Sequence, residues 1–127
     1  MPERPCVLVV DDEPLNRDLL RRTLKRDVEV IEAEDANQAL EMLAARADVA
    51  LVLSDQLMPG PSGTELARTV RARHPGTPVV LMTGYDQDPE VAKSMTDGFV
   101  IAIVSKPWQA PALRQLIARL LARAALA

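Results

Sequence analysis

A chain of 127 residues and 13.9 kDa has room for one domain with its own core, and not for two. Hydrophobic residues at 48% argue against disorder, and aromatics at 2% leave the core to Leu, Val, Ile and Ala and exclude base stacking as a main activity. A net charge of -3, with Lys and Arg spread over several segments, carries no electrostatic footprint for nucleic acid.

The single cysteine, Cys6, opens the first aliphatic run and reads as a small core residue. It can form no disulfide within the chain, which suits a reducing cytosol. No signal-peptide pattern follows the N-terminus and no apolar stretch approaches about 18 residues. A soluble, cytoplasmic protein without membrane association is expected.

Val7-Leu8-Val9-Val10 is a continuous aliphatic run and ends in Asp11-Asp12-Glu13. Such runs, rich in Val and Ile, read as strands buried on both faces of a parallel sheet. A helix is predicted over 14–25, with Leu15, Leu19, Leu20 and Leu24 on one face. Glu13 reads as its cap, and Arg17, Arg21, Arg22 and Lys25 as a solvated face bordering the acids. Residues 28–33 alternate only in part and make an edge strand. Asp35-Ala36-Asn37-Gln38 starts a second helix with the stripe Ala36, Ala39, Leu40, Leu43 and Ala44.

The third run, Val49 to Ser54, ends in Asp55, and the turn cluster Met58-Pro59-Gly60-Pro61-Ser62-Gly63 opens a third helix. Leu66, Ala67 and Val70 face inward, and His74-Pro75-Gly76 stops that helix, the histidine reading as a structural cation at its end. The fourth run, Pro78-Val79-Val80-Leu81-Met82, ends in Thr83. A weaker helix over 89–96 follows, with Gly98 as its stop. The fifth run, Val100 to Ser105, ends in Lys106-Pro107, and Trp108 anchors the start of the last helix. Leu113, Leu116, Ile117, Leu120 and Leu121 keep helical spacing there.

Five strand–helix units with right-handed crossovers imply an α/β fold. The expectation is a doubly wound (βα)5 sandwich with a five-stranded parallel sheet in the order 2-1-3-4-5. Open parallel sheets hold their ligands at the carboxyl ends of the strands. Asp11, Asp12, Asp55, Thr83 and Lys106 therefore converge on one edge. Three acids there repel one another unless a cation compensates, and a hard divalent ion such as Mg²⁺ does so. Such a metal with a lysine and a hydroxyl suits phosphoryl chemistry. Asp55, alone at its strand end opposite Asp11-Asp12, is the best nucleophile, and its product is an aspartyl phosphate.

These residues resemble the receiver domains of two-component response regulators over essentially the whole chain. Val9-Val10-Asp11-Asp12-Glu13-Pro14 is similar to the family's acidic pair, and Ser54-Asp55-Gln56-Leu57-Met58-Pro59-Gly60 to its phosphoacceptor strand and turn. Thr83-Gly84 resembles its switch hydroxyl, and Ser105-Lys106-Pro107-Trp108 its lysine–proline. The resemblance implies one receiver domain over 1–127. It implies Asp12 and Asp55 as direct Mg²⁺ ligands, Asp11 acting largely through water, and the Leu57 backbone carbonyl as the third protein ligand. It implies that Asp55 takes a phosphoryl group from a histidine kinase or phosphotransfer protein, and that Thr83 and Lys106 bind it. The signal then passes to a C-terminal output domain, a downstream protein or a phosphorylation-linked homodimer.

Ile103 departs from the family, which mostly carries a reporting aromatic residue three positions before the lysine. The Asp97-Gly98-Phe99-Val100-Ile101 segment also departs from the usual turn, so a short fourth helix is expected. Leu57 and Tyr85 are placed to flank the path of an attacking water, and a comparatively long-lived aspartyl phosphate is expected. Two rivals stay open. A small Mg²⁺-dependent aspartyl-phosphate phosphatase is disfavoured because Asp11-Asp12 is not an Asp-x-Asp and no length remains for a cap. A phosphorylation-independent receiver-like adaptor is kept alive by Ile103.

Overall fold

The computed structural model describes residues 4–84 and 88–126. Strands and helices alternate throughout: β1 (Cys6–Val10), α1 (Pro14–Leu24), β2 (Glu29–Ala33), α2 (Ala36–Ala45), β3 (Val49–Asp55), α3 (Gly63–Arg73), β4 (Val79–Thr83), α4 (Pro89–Thr96), β5 (Ala102–Ser105) and α5 (Ala110–Leu126). All neighbouring strands pair in parallel, in the order β2-β1-β3-β4-β5. This is the doubly wound (βα)5 sandwich expected.

The period of two along each strand sorts the core into two halves. Val7, Val9, Leu51, Leu53, Val80 and Met82 pack with Leu20 and Leu24 of α1 and Leu113 and Ile117 of α5. Leu8, Val10, Val52 and Leu81 point the other way, onto α2, α3 and α4 through Ala39, Leu43, Leu66, Val70 and Val91. β1, β3 and β4 are thus covered on both faces, which is why their sequences are unbroken aliphatic runs. β2 and β5 lie at the two edges and are half-buried for most of their length.

Helix starts follow their capping residues. The Asp35 carboxylate accepts from the Gln38 N–H at 2.8 Å. Ser62 and Glu65 form a reciprocal capping box on α3, and Asp88 accepts from the Glu90 N–H at 2.9 Å on α4. α3 ends at His74 as expected. α4 has 8 residues and stops at Gly98, whose φ of 80° favours glycine. Cys6 is buried, and burial pushes its thiol pKa up, so it is an inert core residue.

Four details differ from the sequence reading. Leu15 and Leu19 are 81% and 53% exposed, whereas Leu20 and Leu24 are buried. The two leucine pairs lie at least about 100° apart around the helix, so only one pair can face the sheet. Ala44 is exposed, one position off the buried stripe of α2. Glu13 occupies the N-cap position of α1, but its side chain makes no capping bond. The ladder of β5 begins at Ala102, two residues into its aliphatic run, although Val100 is buried beneath it.

Gly63, the first residue of α3, is a close-approach position. A Cβ there would lie 2.6 Å from the Asp55 carbonyl oxygen and 2.7 Å from Leu81 Cδ2. Gly63→Ala is expected to destabilise the fold by about 1–3 kcal/mol, as overpacking against backbone does, measured by denaturant unfolding. An unchanged midpoint would show that α3 can shift freely from β3.

Candidate functional site

Strand register assembles the site one step at a time. Val10 pairs with Ser54, so Asp11 and Asp55 are the next residues on adjacent strands. Asp55 pairs with Met82, which brings Thr83 one position beyond it. Thr83 pairs with Ser105, and Lys106 follows directly, its N–H donating to the Thr83 carbonyl at 2.9 Å. All five polar residues expected at the sheet edge are therefore brought together there.

Asp11 is fully buried. Its Oδ1 accepts from the Glu13 N–H at 2.9 Å, but its Oδ2 has no hydrogen-bond partner among the described residues. Asp55 is 8% exposed, and Lys106 Nζ donates to its Oδ1 at 2.6 Å. Asp12 is half-buried. Asp11, Asp12 and Asp55 each place one carboxylate oxygen so that all three lie within 4.8 Å of one another. Thr83 is buried at the end of β4.

Burial raises the Asp11 pKa. The Glu13 N–H opposes that shift, and the nearby Asp55 charge adds to it. One ammonium thus faces three carboxylates, and one buried oxygen has no hydrogen-bond partner among the described residues. The donor set is all oxygen, and it includes Asp11, whose Oδ2 is that oxygen. These residues fit a hard divalent cation, and the cluster forms an acidic Mg²⁺-binding pocket.

The surroundings hold residues that sequence reasoning missed. Arg17 is not solvated: its Nη1 donates to the Asp11 carbonyl at 2.7 Å, and its Nε lies 3.3 Å from Glu32 Oε1. Gln56, following Asp55, is buried and bonded through its side chain to Thr64. The capping-box spacing Ser62-x-x-Glu65 was the available signal, since it places Thr64 in the first turn of α3. Trp108 packs against the α1/α5 half of the core, as expected of an anchor. Leu57 is 72% exposed on the turn after Asp55, and Tyr85 lies outside the described residues. Ile103 is half-buried against the α2/α3/α4 half of the core.

A family model described as the response regulator receiver domain matches residues 7–118. The chain belongs to that family. Such domains are self-phosphorylating and self-dephosphorylating switches and not enzymes in the ordinary sense, and the acidic cluster and Lys106 of this receiver domain are positioned as in phosphoaccepting response regulators. It is 35% identical over 106 residues to the hydrogenase transcriptional regulatory protein HoxA of Cupriavidus necator, covering 84% of this chain and 22% of that one. The receiver domain spans about a quarter of the length of the curated relatives it first matches. Its backbone is similar to the signal receiver domain of an HD domain-containing protein from Pseudomonas fluorescens, with a TM-score of 0.89, 30% identity and coverage of 98% and 91% of the two chains. It is also similar to the response regulator TrrA of Thermotoga maritima, solved in complex with Mg²⁺–BeF, with a TM-score of 0.80, 29% identity and coverage of 91% and 98%. Relatives of this kind support a general phosphorelay partner. Among the described residues, no helix is long and apolar enough to cross a membrane.

The orphaned carboxylate yields a stability prediction. Asp11→Asn keeps an oxygen for the Glu13 N–H and removes a buried charge, so metal-free protein at neutral pH is expected to gain about 1–3 kcal/mol. The raised pKa means that ionised Asp11 costs stability above its folded pKa, and that this cost vanishes as pH falls through it. Unfolding curves at neutral and acid pH check both points: the advantage of Asp11→Asn should open as pH rises and close in acid. A less stable variant would overturn the electrostatic account.

Proposed function

We propose that Asp55 is the phosphoacceptor and takes a phosphoryl group from a histidine kinase or a phosphotransfer protein. The observation that carries this reading is the 2.6 Å contact of Lys106 Nζ with Asp55 Oδ1, within a cluster in which one carboxylate oxygen each of Asp11, Asp12 and Asp55 lie within 4.8 Å of one another. An Asp55 carboxylate oxygen attacks phosphorus in line while the P–N bond of the donor phosphohistidine breaks, its electron pair staying on the imidazole nitrogen. Lys106 then exchanges the carboxylate oxygen for a phosphoryl oxygen, and the Thr83 hydroxyl donates to another. Asp11, Asp12, Asp55 and the Leu57 carbonyl would hold Mg²⁺, which when bound supplies the charge neutralisation that transfer between two anions requires.

The whole chain, 1–127, is read as one receiver unit. Its output passes to a C-terminal domain, a downstream protein or a phosphorylation-linked homodimer; the family resemblance supports each of these. Incubation with Mg²⁺ and a small acyl phosphate, followed by intact mass, tests the acceptor. A single phosphoryl adduct abolished by Asp55→Asn is expected. Multiple turnover of varied phosphoesters would instead favour a phosphatase. The absence of any adduct would favour the phosphorylation-independent adaptor, which the aliphatic Ile103 keeps as the second reading.

The exposed Leu57 side chain cannot orient a water at the acyl phosphate. Decay of the adduct is therefore expected to be slow, and several-fold faster after Leu57→Asn, whose carboxamide can hold a water in line. Following the phosphorylated fraction over time checks this, and equal decay rates would remove Leu57 from the account.

A further inference from the structure

Gln56 follows Asp55 directly and is 1% exposed. Each of its polar groups has a partner. Its N–H donates to the Met82 carbonyl at 3.0 Å, and its carbonyl accepts from the Gly63 N–H at 3.0 Å. Its Oε1 accepts from the Thr64 N–H at 2.9 Å, and its Nε2 donates to Thr64 Oγ1 at 3.3 Å. One buried residue thus fastens the end of β3 to β4 by its backbone N–H, and to the first turn of α3 by its carbonyl and its side-chain amide.

Thr64 carries the connection outward. A hydroxyl has one proton to give and two lone pairs. Gln56 Nε2 donates to the Thr64 hydroxyl oxygen at 3.3 Å, Ser62 Oγ shares a proton with it at 3.0 Å, and the same hydroxyl reaches Glu90 Oε2 at 3.4 Å. Glu90 lies in the first turn of α4. The hydrogen bonds therefore run from the residue after Asp55, through the first turn of α3, to the first turn of α4. The inner links are buried and all fall on one residue. The outer link is long and reaches an exposed carboxylate, so it can open without unfolding anything. Among the described residues no side-chain hydrogen bond runs through Ile103, which is aliphatic and packs against the core.

We propose that Gln56 is a positioning residue that couples the 55–57 turn to the first turn of α4 through the Thr64 hydroxyl and Glu90. A change in how that turn is held is passed to α4, and by linkage the placement of α4 biases how the turn is held. The statement that phosphorylation is what changes the turn rests on the reading of Asp55 above; the coupling itself does not.

Hydrogen exchange of the full chain, read over residues 89–96, tests the coupling. Thr64→Val keeps the shape and removes the hydroxyl, and α4 amides are expected to exchange measurably faster, by less than the roughly fivefold that a full net hydrogen bond represents. Thr64→Ser restores the hydroxyl and should exchange like the original chain. Glu90→Ala, at an exposed position where folding is not at risk, should be non-additive with Thr64→Val. After treatment with Mg²⁺ and a small acyl phosphate, the change in α4 exchange on phosphorylation should shrink in Thr64→Val at an equal adduct by intact mass. Unchanged α4 exchange in Thr64→Val, a Thr64→Ser variant that behaves like Val, or strict additivity with Glu90→Ala would each overturn the proposal. If the original chain takes up no phosphoryl group, the reading of Asp55 fails, while the unphosphorylated comparison still decides the coupling.

Discussion

Parallel pairing at a fixed register is the constraint on which everything else in this molecule depends. Because β1, β3, β4 and β5 all run the same way, their polar termini emerge at one edge, and each is offset from its neighbour by a single pairing step. A slip of one residue on any of these strands would exchange its two faces and misplace its terminal side chain at once. The aliphatic runs that bury both faces of β1, β3 and β4 are thus also what aims Asp11, Asp55 and Thr83. Core packing and site geometry are one property here.

That edge is electrostatically incomplete in the protein alone. Desolvation of Asp11 and the proximity of Asp55 work against the charged state, and the single ammonium of Lys106 is committed to Asp55. The arrangement trades stability for affinity toward cations and phosphoryl groups, as functional sites commonly do. Gly63 belongs to the same trade. It lets the start of α3 come close to the Asp55 carbonyl, which fixes the turn that carries the Leu57 carbonyl.

Much of this was legible from the residues. Runs such as Val7–Val10 announce doubly covered strands because they are short, rich in β-branched residues and end abruptly in polar ones. The acids, hydroxyl and lysine that end those runs could be placed at one edge from topology alone. What could not be read were contacts fixed by rotation and tertiary packing. Leucines at 15, 19, 20 and 24 form two stripes, and sequence spacing does not say which one the sheet covers. Arg17 looked like any surface arginine until the fold brought the Asp11 carbonyl and Glu32 to it. Gln56 reads as a loop residue and is instead a buried junction, because α3 turns back over it.

The pairing of charges on α1 bears on recognition. Arg17 is engaged by Glu32, Arg21 by both Glu32 and Asp18, and Arg22 by Asp18. Three guanidiniums on the helix beside the acceptor edge are thus shared between two carboxylates, one on the helix and one on β2, and Leu15 and Leu19 stand exposed beside them. A protein approaching Asp55 across this helix meets apolar surface and paired charge side by side. Added salt weakens the charged part of such an encounter and leaves the apolar part largely untouched.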